Sequence, residues 1–386
     1  MSKGKKEHRL VPRLRFREFR KAKGWETSSL GAIVTLEYGS ALPEKNRTGN
    51  GFPVVGSNGI VGYHKTATVV GPAIVIGRKG SFGQINLINY DCTPIDTTFY
   101  VVPKRPEQDN FYFIWRLLEV ARLDRLGDVG AIPGLNRNDV YAQKTAIPTY
   151  SEQQKIADCL SSLDELITAE TKKLTTLKTY KQGLMQQLFP REGETVPRLR
   201  FREFRKAGEW EIKTLAGLCE MQAGKFVAAK VISDQPAVDL YPCFGGNGLR
   251  GYTKAFNHSG RYSLIGRQGA LCGNVNFVEG DFYATEHAIV VTPKQGINTD
   301  WLFYNLNILN LNQFATGQAQ PGLSVDVLQK VSCIVPNNER EQQKIADCLS
   351  SLDEQITAQA QKIEALKTHK QGLMQQLFPV VDEVGV

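Results

Sequence analysis

Beyond Ser151 the apolar residues fall into a repeat of seven. One series runs Ile156, Leu163, Glu170, Leu177, Leu184 and the other Leu160, Ile167, Leu174, Lys181, Leu188. The pattern returns as Ile345, Leu352, Gln359, Leu366, Leu373 and Leu349, Ile356, Ile363, Lys370, Leu377. Eight of ten seam positions are aliphatic in each stretch, and the two polar exceptions fall at matching places. Held over more than four heptads, this spacing predicts a coiled-coil helix. Ser151 and Asn338 stand where N-caps belong, with acidic residues in the first turn. Pro190 and Pro379 end the helices, because proline cannot continue the hydrogen-bond ladder. A helix of ~37 residues rises about 55 Å. Each alone would leave an apolar stripe in water, so the two arms are expected to bury their seams against each other. A pseudo-two-fold relation between the copies, as in an isologous dimer, makes them antiparallel. Glu170 and Gln359 then lie near the crossing centre, where a polar pair can fix register.

The arms belong to a larger duplication. Val11 to Glu26 returns as Val196 to Glu211 with 14 of 16 positions identical, and Glu152 to Pro190 returns as Glu341 to Pro379 with 31 of 39 identical. The segments between these copies are related but heavily diverged. They align on glycine landmarks: Gly56-Ser-Asn-Gly-Ile-Val-Gly-Tyr-His-Lys65 with Gly245-Gly-Asn-Gly-Leu-Arg-Gly-Tyr-Thr-Lys254, and Ile76-Gly-Arg-Lys-Gly-Ser81 with Ile265-Gly-Arg-Gln-Gly-Ala270. Pro133-Gly-Leu and Pro321-Gly-Leu recur late in each. Short β-rich runs (73–76, 99–102, 288–291) and helical stretches (111–126, 301–314) describe a compact mixed sheet-and-helix domain with many turns. The fold class is therefore α+β: two similar mixed α/β domains joined by two long helices in an antiparallel coiled coil. The boundaries read as 1–150 and 191–337 for the variable domains, 151–190 and 338–379 for the helical spacers, and 380–386 for a tail. An invariant scaffold with divergent inserts suggests one device holding two readers of different specificity.

Composition narrows the class. The net charge of +8 and a pI near 9.0 favour a polyanionic partner such as nucleic acid. No apolar run approaches a membrane span, and the basic N-terminus lacks a signal-like apolar stretch, so a cytoplasmic location is expected. Seven cysteines form no CxxC pair and read as reduced, mostly buried thiols rather than a metal site. No GxxxxGK[ST], HExxH or GxSxG motif occurs. Phe244-Gly-Gly-Asn-Gly248 superficially fits a methyl-donor loop, yet its first copy lacks the Phe and the chain has no Pro-Pro dipeptide. It reads as a turn. The five histidines form no cluster.

Candidate contact residues flank the glycines, where a backbone can approach a ligand closely. In the first domain these are Lys45, Asn46, Arg47, Asn58, Arg78, Lys79, Asn136 and Arg137; in the second they are Lys225, Lys230, Asn247, Arg267 and Gln268. Arg and Lys recognise phosphate or guanine edges, while Asn and Gln can pair with adenine. Arg78 and Arg267 could instead be structural, pairing with an acid such as Asp96 or Glu286. Specificity should reside where the copies differ, as with Asn136-Arg137-Asn138 against Ser324-Val325-Asp326. No catalytic residue and no metal ligand is assigned.

The layout resembles the specificity subunit of type I restriction–modification systems. The features are a Pro-Arg-Leu-Arg-Phe opening, a variable domain and an EQQKIADCLSSLDE…GLMQQLFP helix, then the whole set again. The resemblance implies that each variable domain reads one half of a bipartite, asymmetric target on double-stranded DNA, with the helices setting the gap. It also implies docking of two modification (methyltransferase) subunits using S-adenosylmethionine, joined by restriction subunits using ATP and magnesium, and no cofactor on this chain. A non-catalytic protein-interaction hub, two binding domains on a coiled coil, is the alternative; salt-dependent binding to duplex DNA separates the two.

Overall fold

A computed structural model of the chain describes residues 10–127, 134–269, 271–317 and 321–379. Pro133, Ala270, His8 and the 380–386 tail lie outside the described residues. The chain divides into two compact units, residues 1–170 with 362–386 and residues 171–361. The division falls inside both long helices, Tyr150–Leu188 (the first arm) and Glu339–Leu377 (the second). Each unit therefore holds one reader, the opening half of one arm and the closing half of the other.

In the first unit an antiparallel sheet runs in the order Val34–Tyr38, Thr98–Pro103, Ala73–Gly77, Ile85–Ile88. Every residue of Ala73–Gly77 is buried, which is why this strand is an unbroken apolar run rather than an alternating one. A smaller sheet pairs the hairpin Phe52–Gly56 and Gly59–His64 with Thr93–Pro94. In the second unit the corresponding strands form one six-stranded sheet. The ten-residue strand Val275–Ala284 pairs antiparallel with His258–Gly266 and parallel with Tyr241–Gly245, fusing what are two sheets in the first reader. Phe244 to Gly248 is the turn of a hairpin in that sheet.

The helical stretches expected over 111–126 and 301–314 are each broken. Phe111–Val120 and Thr299–Ile308 end where Arg122 (φ 50°) and Asn310 (φ 46°) turn left-handed, and a short 3₁₀ turn follows. The break buries Leu123 and Leu311 and seats the turn against a glycine. A Cβ on Gly83 would lie 2.3 Å from the Asp124 nitrogen, and one on Gly273 2.4 Å from that of Asn312. A continuous helix could not make this approach.

The arms run antiparallel within each unit. In the first, Asp164 accepts from Lys370 and Glu170 from Lys362, so the partner number falls as the first arm rises. In the second, Lys181 meets both carboxylate oxygens of Asp353 at 2.6 Å. Lys181 and Lys370 are two of the four polar exceptions in the seams; each answers an aspartate of the other arm. Asn338 caps as expected, its Oδ1 accepting from the Arg340 N–H at 2.9 Å. Ser151 does not, because the helix opens one residue earlier at Tyr150 and the Thr149 carbonyl takes the N–H groups of Glu152 and Gln153.

The repeated text builds a repeated buried clamp. Arg15 grips Glu152 through two bonds of 2.7 and 2.6 Å, and Trp25 Nε1 donates to the same carboxylate. Arg200, Glu341 and Trp210 repeat the arrangement with bonds of 2.7, 2.8 and 3.3 Å. The carboxylate raises the Arg15 pKa, chiefly through the side-chain hydrogen bonds. The next residue ties the reader on: Gln153 accepts from the Asn110 N–H and Gln342 from that of Asn298, at the N-caps of the reader helices. The arm's far end is buried in the other reader's core. Leu377 and Phe378 pack with Trp25 and Phe113, and Leu188 and Phe189 with Trp210 and Trp301. Each clamp is the same; what it holds is not.

Candidate nucleic-acid interface

In the first reader the glycine loop, the hairpin tip and the late helix meet on one face. The backbone N–H groups of Arg78 and Lys79 both donate to the Thr97 carbonyl, which also accepts from Ser57 Oγ at the hairpin turn. The Leu135 N–H donates to the Arg78 carbonyl, bringing up Asn136 and Arg137 at the start of the helix Arg137–Ala142. Asn58 and Lys79 are exposed on this face. Asn136 caps its helix, accepting from the Asn138 N–H, and its side chain is to that extent occupied. The glycines are there for close approach: a Cβ on Gly77 would lie 2.2 Å from the Ser81 carbonyl oxygen.

Arg78 is half-buried. Its Nη2 donates to the backbone carbonyl of Asp96 at 2.7 Å, not to the carboxylate anticipated by the structural reading. Its guanidinium lies over the Tyr38 ring at 5.2 Å and near Phe99 at 5.8 Å. Arg137 lies over the same Tyr38 ring at 5.3 Å and over Tyr141 at 5.9 Å. Neither arginine has an ion pair among the described residues. Lys45 is exposed in a 3₁₀ turn with Asn46. Arg47 is committed to the hairpin, donating to the Val61 carbonyl at 2.8 Å.

The second reader assembles the same frame with different chemistry. The Arg267 N–H donates to the His287 carbonyl and the Leu323 N–H to that of Arg267. Asn247, Gln268 and His287 line one surface cleft of about 450 Å³ with Arg250. His287 Nδ1 lies 2.9 Å from Gln268 Oε1, and its Nε2 lies 3.2 Å from Glu286. Glu286 thus pairs with the histidine rather than with Arg267, whose side chain makes no hydrogen bond or ion pair among the described residues. Lys225 is exposed at the bridge to Thr285, and Lys230 lies farther along in a 3₁₀ turn. Sequence reasoning passed over Tyr38, Tyr141 and His287. The aromatic signal was available at Tyr38, but only the fold brings two arginines to it.

Among the described residues no group of three His, Cys, Asp or Glu side chains could hold a metal, and no helix is long and apolar enough to cross a membrane. Burial pushes the thiols of Cys219 and Cys333 up to about 12 and that of Cys92 up to about 11.

Two unlike basic faces, each on an identical buried clamp with shared antiparallel arms, define a two-reader recognition scaffold. Residues 22–179 and 207–368 match the family model of the type I restriction modification DNA specificity domain, and the chain belongs to that family. It is 52% identical over 134 residues to the type I restriction enzyme EcoprrI specificity subunit of Escherichia coli, a segment covering 34% of this chain and 33% of that protein. The matched part thus spans about a third of that relative's length. Similarity to the type I restriction enzyme MjaVIII specificity subunit of Methanocaldococcus jannaschii is broader, 23% over 338 residues, covering 79% of this chain and 75% of that one. The fold matches the S subunit of a type I restriction–modification system from M. genitalium with a TM-score of 0.70 at 16% identity, over 96% of this chain and 100% of that one. A chain from a structure of type I R-M complex assembly and conformational transition matches with a TM-score of 0.54 at 17% identity, over 92% and 97%.

Proposed function

We propose that this chain is the DNA-recognition subunit of a type I restriction–modification complex in the cytoplasm. Each reader contacts one half of a bipartite, asymmetric duplex target, and the arms set the gap between the halves. The carrying observation is the contrast between clamp and face. Arg15–Glu152–Trp25 and Arg200–Glu341–Trp210 are the same device, while Tyr38 and Arg137 on one face are replaced by Ala223 and Val325 on the other. Two copies of a scaffold that keep their buried polar bonds and change their exposed donors are two readers, not one reader twice. Arg78 and Arg267, present in both, suit phosphate contacts, which carry no sequence information. Lys79 and Arg137 in one reader and Gln268 in the other, where the copies differ, suit base edges; Asn58 and Asn247, kept in both, suit the DNA backbone. Lys45, Arg47, Asn136 and Lys225 flank these groups.

In this reading the chain performs no catalysis and binds no cofactor. Two modification subunits dock on it and methylate adenines with S-adenosylmethionine; restriction subunits join them with ATP and magnesium. The working modules are the readers 1–150 and 191–337 and the spacers 151–190 and 338–379. Methylation mapping in cells carrying the three subunits tests the proposal: the expected outcome is one gapped motif with two unlike halves. A single palindromic, ungapped motif refutes it.

A further inference from the structure

The first reader carries an exposed aromatic whose side-chain partners among the described residues are two arginines and Phe99. Tyr38 ends the strand Val34–Tyr38 and is 52% exposed, with the Phe99 ring at 5.1 Å. The guanidinium groups of Arg78 and Arg137 lie over it at 5.2 and 5.3 Å, and neither has a carboxylate partner among the described residues. Each arginine is held from behind: Arg78 by the Asp96 carbonyl, Arg137 by the Tyr141 ring and, at 3.4 Å, by the Leu36 carbonyl. Tyr141 is itself fixed, its hydroxyl accepting from the Leu36 N–H at 2.8 Å. Stacking takes up the face of a guanidinium and leaves in-plane N–H donors free, the fork that matches the two acceptors on a guanine edge or a phosphate. Two cations over one ring without a carboxylate are an arrangement that an anionic or acceptor-rich ligand completes.

The second reader lacks the array. Gly39 and Gly224 are equivalent, since a Cβ on either would run into backbone carbonyls of the neighbouring turn, and Ser40 and Lys225 make matching parallel bridges after them. Ala223 therefore stands at the place of Tyr38. Val325, first residue of the helix Val325–Gln329, stands at that of Arg137. Arg78 alone has a counterpart, Arg267.

We infer that Tyr38 is a specificity-determining positioning residue of the first reader: it holds Arg137 so that the guanidinium reads a guanine in the first half-site, while Arg78 beside it takes a phosphate. The inference rests on the function proposed above. Its experiment measures binding of the full chain, assembled with its modification subunits, to duplexes carrying each single-base change in both half-sites, for Tyr38→Ala, Tyr38→Phe and Arg137→Ala. Expected are a tenfold or greater loss for Tyr38→Ala and a flattened preference at one G·C pair of the first half-site. Arg137→Ala should flatten the same pair, with the double variant no worse than either alone, and Tyr38→Phe should retain wild-type preference. Preferences in the second half-site should stay unchanged. Unaltered preference in Tyr38→Ala, or a uniform loss at all positions accompanied by a lower melting temperature, overturns it. Absence of sequence-specific binding by the wild-type assembly removes the underlying reading, and the inference falls with it.

Discussion

Breaking one clamp should cost far more stability than its two side chains suggest. In the second unit Arg200 and Glu341 are 8% and 1% exposed and joined by two bonds, with Trp210 donating to the same carboxylate. Glu341→Gln keeps the shape and removes the charge, leaving the guanidinium buried without its counter-ion. Removing one partner of a buried pair costs about 3–5 kcal/mol. In a unit of this size each kcal/mol moves the midpoint by about 2–4 °C, so the melting temperature should fall by about 6–20 °C. Circular dichroism melts of the full chain give the value directly. The companion variant Arg200→Met with Glu341→Leu removes both charges and fills the space, and should recover most of the loss, since well-packed apolar replacements of buried pairs are often neutral or better. A shift under about 2 °C for Glu341→Gln, by the same conversion, would show that the clamp is solvated in solution. A double variant as unstable as the single one would show that packing, not the uncompensated charge, carries the effect.

Three further outcomes are expected. Arg78→Ala should weaken all duplexes about equally and lower the salt slope of binding by about one, read from titrations at two salt concentrations; selective loss at a single base would make Arg78 a base reader instead. Inserting one heptad into both arms adds about 10 Å of helix, near three base pairs, and should lengthen the gap in the methylated motif without changing its halves. The buried thiols predict alkaline lability. Cys219 and Cys333 hold their protons up to about 12, whereas unfolded thiols ionise near ~8.5, so their contribution is full below the unfolded value and is lost as pH rises from there towards 12. Urea midpoints at pH 8 and 10 should differ in that direction, with neither thiol labelled by an alkylating reagent in the native protein at pH 8.

The arms were the most readable part of the chain, because a seven-residue period is local and aliphatic residues fill eight of ten seam positions in each copy. Their antiparallel pairing followed from the duplication together with a pseudo-two-fold relation between the copies. The seam lysines were legible only as polar exceptions, because their aspartate partners lie 172 and 206 residues away. The clamp was written into both repeated segments, yet Arg15 and Glu152 are 137 residues apart and no spacing rule joins them. The helix breaks at Arg122 and Asn310 were missed because the apolar pattern continues through them; the close approach of Gly83 and Gly273 forces the turn. Of the candidate contact residues, the fold groups Asn58, Arg78, Lys79 and Arg137 in the first reader and Asn247 and Gln268 in the second, while Arg47 is tied to its hairpin and Lys230 stands apart. Tyr38 escaped because its meaning lies in Arg78 and Arg137, which come from elsewhere in the chain.

The Leu14 N–H donates to the Gln376 carbonyl at 3.0 Å, and the Leu199 N–H donates to the Gln187 carbonyl at 2.9 Å. The first bond joins segments far apart in sequence; the second closes a continuous stretch that makes the same turn. Each unit thus makes the same backbone stitch between a reader's opening segment and the far end of an arm, in one case across separate segments and in the other along a continuous one. Joining Pro379 to Val11 through a linker copied from residues 191–195, and opening the chain there instead, would yield a circular permutant with the same buried bonds and the reading order reversed.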